Sequence, residues 1–87
     1  MRDRYEVRIS RRALHALRKI DRPAQRRIMA AIELLADEPR PPKCVLLKGE
    51  ASVYRVRVGD YRIVYEVRDE ILVIHVITLG HRRDVYR

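Results

Sequence analysis

The sequence has no tryptophan, no phenylalanine, one cysteine and only three glycines in 87 residues. Aliphatic side chains and five tyrosines must therefore fill the core. The lone cysteine, Cys44, cannot form an internal disulfide and has no C-x-x-C partner for zinc, which fits a reducing, cytoplasmic location. No glycine-rich loop precedes a helix and no His, Asp or Glu cluster has metal-ligand spacing, so we predict no metal and no other cofactor.

Long apolar runs are also missing. The longest, residues 71–77, is interrupted by His75 and is far too short to span a bilayer as a helix. The N-terminal stretch is charged and alternating, without the apolar segment of a signal peptide. We therefore expect no membrane association.

Positive charge is what the sequence has in excess. It contains 20 Lys and Arg against 12 Asp and Glu, which gives a formal net charge of +8. Its length and its hydrophobic content of 47% are those of one globular domain, residues 1–87. Such a surplus in one small domain predicts a polyanionic partner, namely RNA, DNA, a ribosome or an acidic protein. A basic surface that serves only solubility is the alternative.

Hydrophobic periodicity predicts an α+β fold. Residues 4–9 alternate as an edge strand does, and Ser10 is a good N-cap for a helix that ends near residue 20. Asp21 and Pro23 mark the start of a second helix, which ends near residue 37 before a proline-rich connection. Three strands follow at 53–58, 61–67 and 71–79, and the last is apolar on both faces, as a central strand is. We predict the order β-α-α-β-β-β, with both helices on one face of a small, twisted antiparallel sheet.

Three arginines are predicted to share the other face of this sheet. Alternation along the strands places Arg55, Arg57 and Arg62 there, within reach of one another. Arginine forks bind phosphate oxygens in pairs and can stabilise the extra negative charge of a pentacoordinate phosphorus. Charged residues on an exposed sheet also prevent aggregation, but a device for solubility would mix both signs. We therefore favour an anion-binding surface.

The C-terminal tail adds further candidates to this surface. Arg82 and Arg83 supply more charge, and Tyr86 has a phenolate that neighbouring cations would stabilise. The ring of Tyr86 can equally stack on a base or pin the tail to the sheet. His81 is a candidate acid or an exposed loop residue.

Three segments in order, residues 47–49 (LKG), 54–67 (YRVRVGDYRIVYEV) and 79–86 (LGHRRDVY), carry a resemblance to a known family. Together with the order of elements, they resemble RelE-type toxins of the RelE/ParE toxin–antitoxin superfamily over essentially the whole chain. The resemblance implies a ribosome-dependent endoribonuclease that cuts mRNA in the A site. The RNA's own 2′-hydroxyl would attack the phosphate, so neither a metal nor an enzyme nucleophile is required.

The resemblance also implies roles for individual residues. Arg62 matches the family's transition-state arginine, Arg82 an arginine proposed as general acid or phosphate clamp, and Tyr86 the tyrosine that stacks on a base or helps to activate the 2′-hydroxyl. Two lysines of some members are replaced by arginines here, which keeps their charge but not a lysine's proton transfer. The residues expected to bind RNA phosphate are Arg55, Arg57, Arg83 and His81.

The partners implied are a RelB-like antitoxin with a disordered, often acidic segment, the ribosome and its mRNA, and operator DNA only as part of the toxin–antitoxin complex. Two alternatives stay open. A ParE-like inhibitor of DNA gyrase has the same fold, but such members typically lack the arginines and tyrosine that Arg62, Arg82 and Tyr86 match. A non-catalytic basic nucleic-acid-binding module would bind in a salt-sensitive way without toxicity.

Overall fold

A computed structural model describes residues 4–47 and 52–81, and these residues contain five strands and two helices. In chain order the elements are β1 (Glu6–Ile9), α1 (Arg11–Arg18), α2 (Arg22–Asp37), β2 (Val45–Leu46), β3 (Val53–Val58), β4 (Tyr61–Arg68) and β5 (Val73–His81). The strands form one sheet in the order β1-β5-β4-β3-β2, and both helices contribute buried residues to the core cluster over it. The predicted fold class is confirmed.

The two helices begin where the sequence predicts. The side chain of Ser10 accepts a hydrogen bond from the backbone N–H of Ala13 at 3.0 Å. Asp21 does the same for Ala24 at 3.3 Å, and a proline lies in the first turn of α2. Each cap satisfies a backbone N–H that has no partner within its own helix. Local chemistry is therefore sufficient to place both N-termini.

The sheet is mixed, so the predicted all-antiparallel sheet is wrong for one pair of strands. β1 runs parallel to β5, with Val7 opposite Ile74 and Ile9 opposite Val76. Parallel neighbours need a long crossover, and here the two helices and three further strands supply it. The remaining pairs are antiparallel, and β1 lies at an edge of the sheet as predicted.

The strands differ from the prediction at several points, of which the largest are β2 and the bounds of β5. The two-residue strand β2 was missed, because a segment that short has no detectable period. β5 begins at Val73, two residues later than predicted, since Ile71 and Leu72 belong to the preceding turn. Leu72 takes a positive φ of 55°, and Ile71 is 56% exposed. Their apolar character had suggested a longer strand.

Aliphatic residues and one tyrosine fill the core between helices and sheet. The largest fully buried side chain is Tyr65, at the centre of β4, and α2 contributes Ile28 and Ile32 to the same cluster. No helix in residues 4–47 and 52–81 combines the length and apolarity needed to cross a membrane. The helices thus cover one face of the sheet and leave the other face open.

Candidate nucleic-acid interface

Arginines from β3 and β4 meet on the sheet face opposite the helices. Arg57 lies directly across from Arg62, and Arg55 lies two residues earlier on β3. The residues that alternate with them, Val56 and Ile63, are buried in the core. The predicted placement of the three arginines is therefore confirmed, while their chemical roles stay predictions.

These arginines line a cavity of about 220 Å³, here called the arginine cavity. The residues around it are Lys43, Val45, Arg55, Arg57 and Arg62. Four of the five are cationic. Like charges directly opposite each other destabilise a pair of strands. Two unit charges about 4 Å apart repel by about 1 kcal/mol in water and about 4 kcal/mol at an effective dielectric constant of 20, and a bound anion offsets repulsion of this kind.

The turn between β3 and β4 fixes the outer end of this cavity. Gly59 takes a φ of 60°, which only glycine adopts without strain, so the turn closes in two residues. The Nε of Arg57 donates a hydrogen bond to the carbonyl oxygen of Gly59 at 3.0 Å. This bond holds the guanidinium of Arg57 beside the turn.

The connection between α2 and β2, residues 38–44, is fastened to the sheet by side chains. The Nη2 of Arg40 lies 2.7 Å from the Oδ2 of Asp69, and its Nε donates to the hydroxyl of Tyr54 at 2.8 Å. The hydroxyl of Tyr65 donates to the carbonyl oxygen of Pro39 at 2.8 Å. The connection therefore reaches the arginine cavity from a fixed position.

Lys43 is the residue of this site that sequence reasoning missed. It follows Pro41 and Pro42, and the backbone N–H of Cys44 donates to the carbonyl oxygen of Pro41 at 3.0 Å. No local period marks Lys43 as functional, because only the pairing of β2 with β3 brings it to the arginines. The signal available in the sequence was its position immediately before a short apolar segment.

The shifted pKa values belong to groups that anchor the connection. Hydrogen bonds from Arg40 and then from Tyr5 lower the pKa of the Asp69 carboxyl. Burial raises the pKa of the Tyr65 phenol well above its usual range. Tyr65 is therefore protonated at neutral pH and serves as a structural hydrogen-bond donor, and Asp69 is an anionic anchor for Arg40.

His81 lies apart from the three arginines. β5 contains a bulge, which shifts its pairing with β4 by one residue. Val76 and Leu79 are three residues apart, yet both lie opposite residues of β4 that face the helices. Strict alternation along β5 is therefore interrupted. As a result His81 pairs with Tyr61, and their rings meet edge to face with centroids 5.9 Å apart. This is the helix-covered face, so the structure does not bring His81 together with Arg62.

The other predicted site residues, Arg82, Arg83 and Tyr86, lie outside the described residues. The strand that leads to them does have a defined neighbour, since Gly80 pairs with Arg62. Among residues 4–47 and 52–81, no group of three or more His, Cys, Asp or Glu side chains is placed to hold a metal ion. The described part of the site is therefore a cluster of cations on an open sheet face.

Comparison with known proteins gives this arrangement a family. A family model described as the ParE toxin of a type II toxin–antitoxin system, parDE, matches residues 7–86. Toxin RelG of Mycobacterium tuberculosis is 33% identical over 88 residues, which span 95% of this chain and 97% of the relative.

Solved structures are similar over nearly their whole length. The archaeal RelE–RelB complex from Pyrococcus horikoshii contains a chain with 30% identity and a TM-score of 0.81, with 93% of this chain and 98% of that chain covered. The toxin–antitoxin complex RelBE2 from Mycobacterium tuberculosis contains one with 26% identity and a TM-score of 0.82, with 97% and 98% covered. The chain belongs to the ParE toxin family of type II toxin–antitoxin systems. Within that class it is a RelE-like toxin.

Proposed function

We propose that this toxin is a ribosome-dependent endoribonuclease that cleaves mRNA in the A site and thereby inhibits translation. The observation that carries the proposal is the cross-strand pair Arg57 and Arg62, with Arg55 beside it in one cavity. The convergence of these like charges in one cavity is understandable if an anion such as a phosphate binds there. The cavity lies on an open sheet face, where an extended RNA strand has access.

The reaction that fits these groups is transfer within the RNA itself. The 2′-oxygen of one nucleotide attacks the adjacent phosphorus, the bond to the 5′-oxygen breaks, and a cyclic phosphate and a 5′-hydroxyl result. Arg62 would stabilise the charge that develops on the phosphorus oxygens, and such preorganised electrostatic stabilisation is a large contribution to catalysis. Arg55 and Arg57 would hold the phosphate in place before and during the step.

The tail would supply the proton transfers. Arg82 is assigned to the leaving 5′-oxygen as acid or phosphate clamp, and Tyr86 to the 2′-hydroxyl or to stacking on a base. Arg83 adds a contact to the RNA phosphate. His81 is left out of this set, because its ring packs against Tyr61 on the helix-covered face.

We further propose that the toxin acts in the cytoplasm and that its partner is a RelB-like antitoxin. The similar chains from Pyrococcus horikoshii and Mycobacterium tuberculosis come from complexes with an antitoxin. An acidic, disordered antitoxin segment would complement the net charge of +8. Operator DNA would bind the complex of the two proteins rather than the toxin alone.

A second candidate function is inhibition of DNA gyrase. The observation that favours it is the description of the matching family, which is named for ParE. Both functions use the same fold, so the fold does not distinguish them. The three arginines in one cavity favour the nuclease, since phosphate binding explains their convergence.

The decisive experiment is primer extension on a reporter mRNA after brief induction of the toxin in growing cells. Cuts within the reading frame that disappear when the start codon is removed would support translation-dependent cleavage. Intact mRNA with arrested growth and a DNA-damage response would support gyrase inhibition instead. Normal growth with intact mRNA would contradict both.

A further inference from the structure

Lys43 and Arg57 are shared by two neighbouring cavities. Both residues line the arginine cavity, and both line a second cavity of about 630 Å³ together with Gly59 and Asp60. The second cavity lies at the turn between β3 and β4, where the hydrogen bond to the Gly59 carbonyl holds Arg57. A polyanion that extended from the arginine cavity into the second cavity would pass between Lys43 and Arg57.

The charge of Lys43 is not neutralised within the described protein. Over residues 4–47 and 52–81, its amine forms no ion pair, and Asp60 in the same cavity is not within salt-bridge distance. Some exposed cations of the described residues do have carboxylate partners, for example Arg4 with Glu33 at 2.7 Å. Lys43 is therefore available to an external anion.

The backbone at Lys43 is held in place before any ligand binds. Pro41 and Pro42 precede it and restrict the chain, while Val45 pairs with Arg55 on the strand that follows. The Arg40 and Tyr65 contacts fasten the start of the connection to the sheet. Little backbone freedom is therefore lost on binding, which favours affinity.

We propose that Lys43 forms a second phosphate subsite, beside the arginine cavity, for the backbone of single-stranded RNA, and that Arg57, which lines both cavities, contacts both phosphates. The subsite holds a phosphate next to the one that is cleaved, so in this respect it rests on the proposed nuclease function. Lys43 acts as a compact point charge on the phosphate oxygens. It is a binding and positioning residue that stays clear of the reacting atoms.

The competing explanation is that Lys43 contacts a protein partner. Lys43 also borders a groove of about 550 Å³, lined mostly by apolar residues of α2 and β3 such as Leu34, Leu35, Val56 and Val58. That groove offers little to a phosphate. The convergence of Lys43 with three arginines on the other side favours the polyanion.

Binding of a fluorescently labelled single-stranded RNA oligonucleotide, measured by anisotropy at several KCl concentrations, tests the subsite. Lys43→Ala should weaken binding severalfold at low salt and reduce the slope of log affinity against log salt by about 0.7, the value for one phosphate contact to a single strand. Lys43→Arg should restore the slope. Lys19→Ala, which removes an equal charge at the end of α1, is the control and should leave the slope unchanged.

An unchanged slope in Lys43→Ala, an equal loss in Lys19→Ala, or no RNA binding by the wild-type toxin would overturn the proposal. Lys43→Gln keeps the length of the side chain and provides a second neutral variant, and circular dichroism checks that each variant is folded. In ribosome-dependent cleavage, Lys43→Ala should raise KM and leave kcat unchanged. If the oligonucleotide results hold while the wild type cuts no mRNA, the nuclease function fails and the subsite stands.

Discussion

Replacing Arg62 by alanine is the sharpest test of the proposed chemistry. Arg62 lies on β4 opposite Arg57 and lines the arginine cavity. Loss of one preorganised charge from a transition state lowers kcat by about 10²–10³-fold, or about 3–4 kcal/mol. We therefore expect the variant to lose growth inhibition and to cut reporter mRNA at least a hundredfold more slowly.

The same replacement should have little effect on folding stability. It removes a charge that faces the like charge of exposed Arg57, and interactions between exposed charges are about 1 kcal/mol or less. It also removes the packing of the arginine stem, which acts in the opposite direction. A domain of this size changes its Tm by about 4–8 °C per kcal/mol, so Tm should stay within about 8 °C of the wild type.

Arg68→Ala is the matched control for this experiment. Arg68 is on the same strand, but it is exposed and pairs with Glu66 at 3.2 Å, away from the arginine cavity. Its loss should leave cleavage at the wild-type rate. Wild-type toxicity in Arg62→Ala at equal protein level would refute the assignment of Arg62, and an equal loss in Arg68→Ala would mean that general charge, not the cavity, drives the activity.

Four further substitutions probe the tail and the connection. Tyr86→Phe keeps the ring and removes the hydroxyl, so single-turnover cleavage at the wild-type rate would show stacking, and a large loss would show proton transfer. Tyr65→Phe removes a part-buried hydrogen bond and should lower the free energy of unfolding, measured in urea, by about 1 kcal/mol. Tyr54→Phe removes a more exposed hydrogen bond and should lower it by less. A larger loss in Tyr54→Phe than in Tyr65→Phe would contradict the role of the connection. The pKa of Asp69 in the folded protein lies below its unfolded value of about 3.8. The contribution of the Asp69 carboxylate to the free energy of unfolding is therefore present above that pH, and it is lost as the pH falls through the folded pKa. Asp69→Asn should therefore be less stable than the wild type at pH 7 by under about 1 kcal/mol, because its pairing with Arg40 is exposed. A difference in stability that does not shrink as the pH falls below about 3.8 would exclude this mechanism.

Local patterns were sufficient for most of the elements. Alternation along residues 53–58 and 61–67 predicted the bounds of β3 closely and those of β4 to within one residue. The caps at Ser10 and Asp21 marked both helix starts. These features depend on neighbours within four residues, so a single sequence contains them.

Long-range pairing accounts for what the sequence could not show. The parallel alignment of β1 with β5 joins residues far apart in the chain, and no local pattern distinguishes it from an antiparallel one. The bulge near Ile77 is equally hidden, because an extra residue in one strand is defined only by its partner strand. Strict alternation would have left His81 on the open face, whereas the bulge turns it to the helix-covered face.

The sequence by itself determined that Arg55, Arg57 and Arg62 share one face of a sheet. The reason is that side chains alternate along each strand, and the apolar residues between the arginines on both strands mark the face that is buried. The two-residue turn between β3 and β4 sets Arg57 opposite Arg62, because loop length fixes the register of a hairpin. Only the tertiary structure decided that Lys43 joins them. The path of the connection is set by contacts between distant segments, among them Arg40 with Asp69 and Val45 with Arg55, and these exist only once the chain has folded.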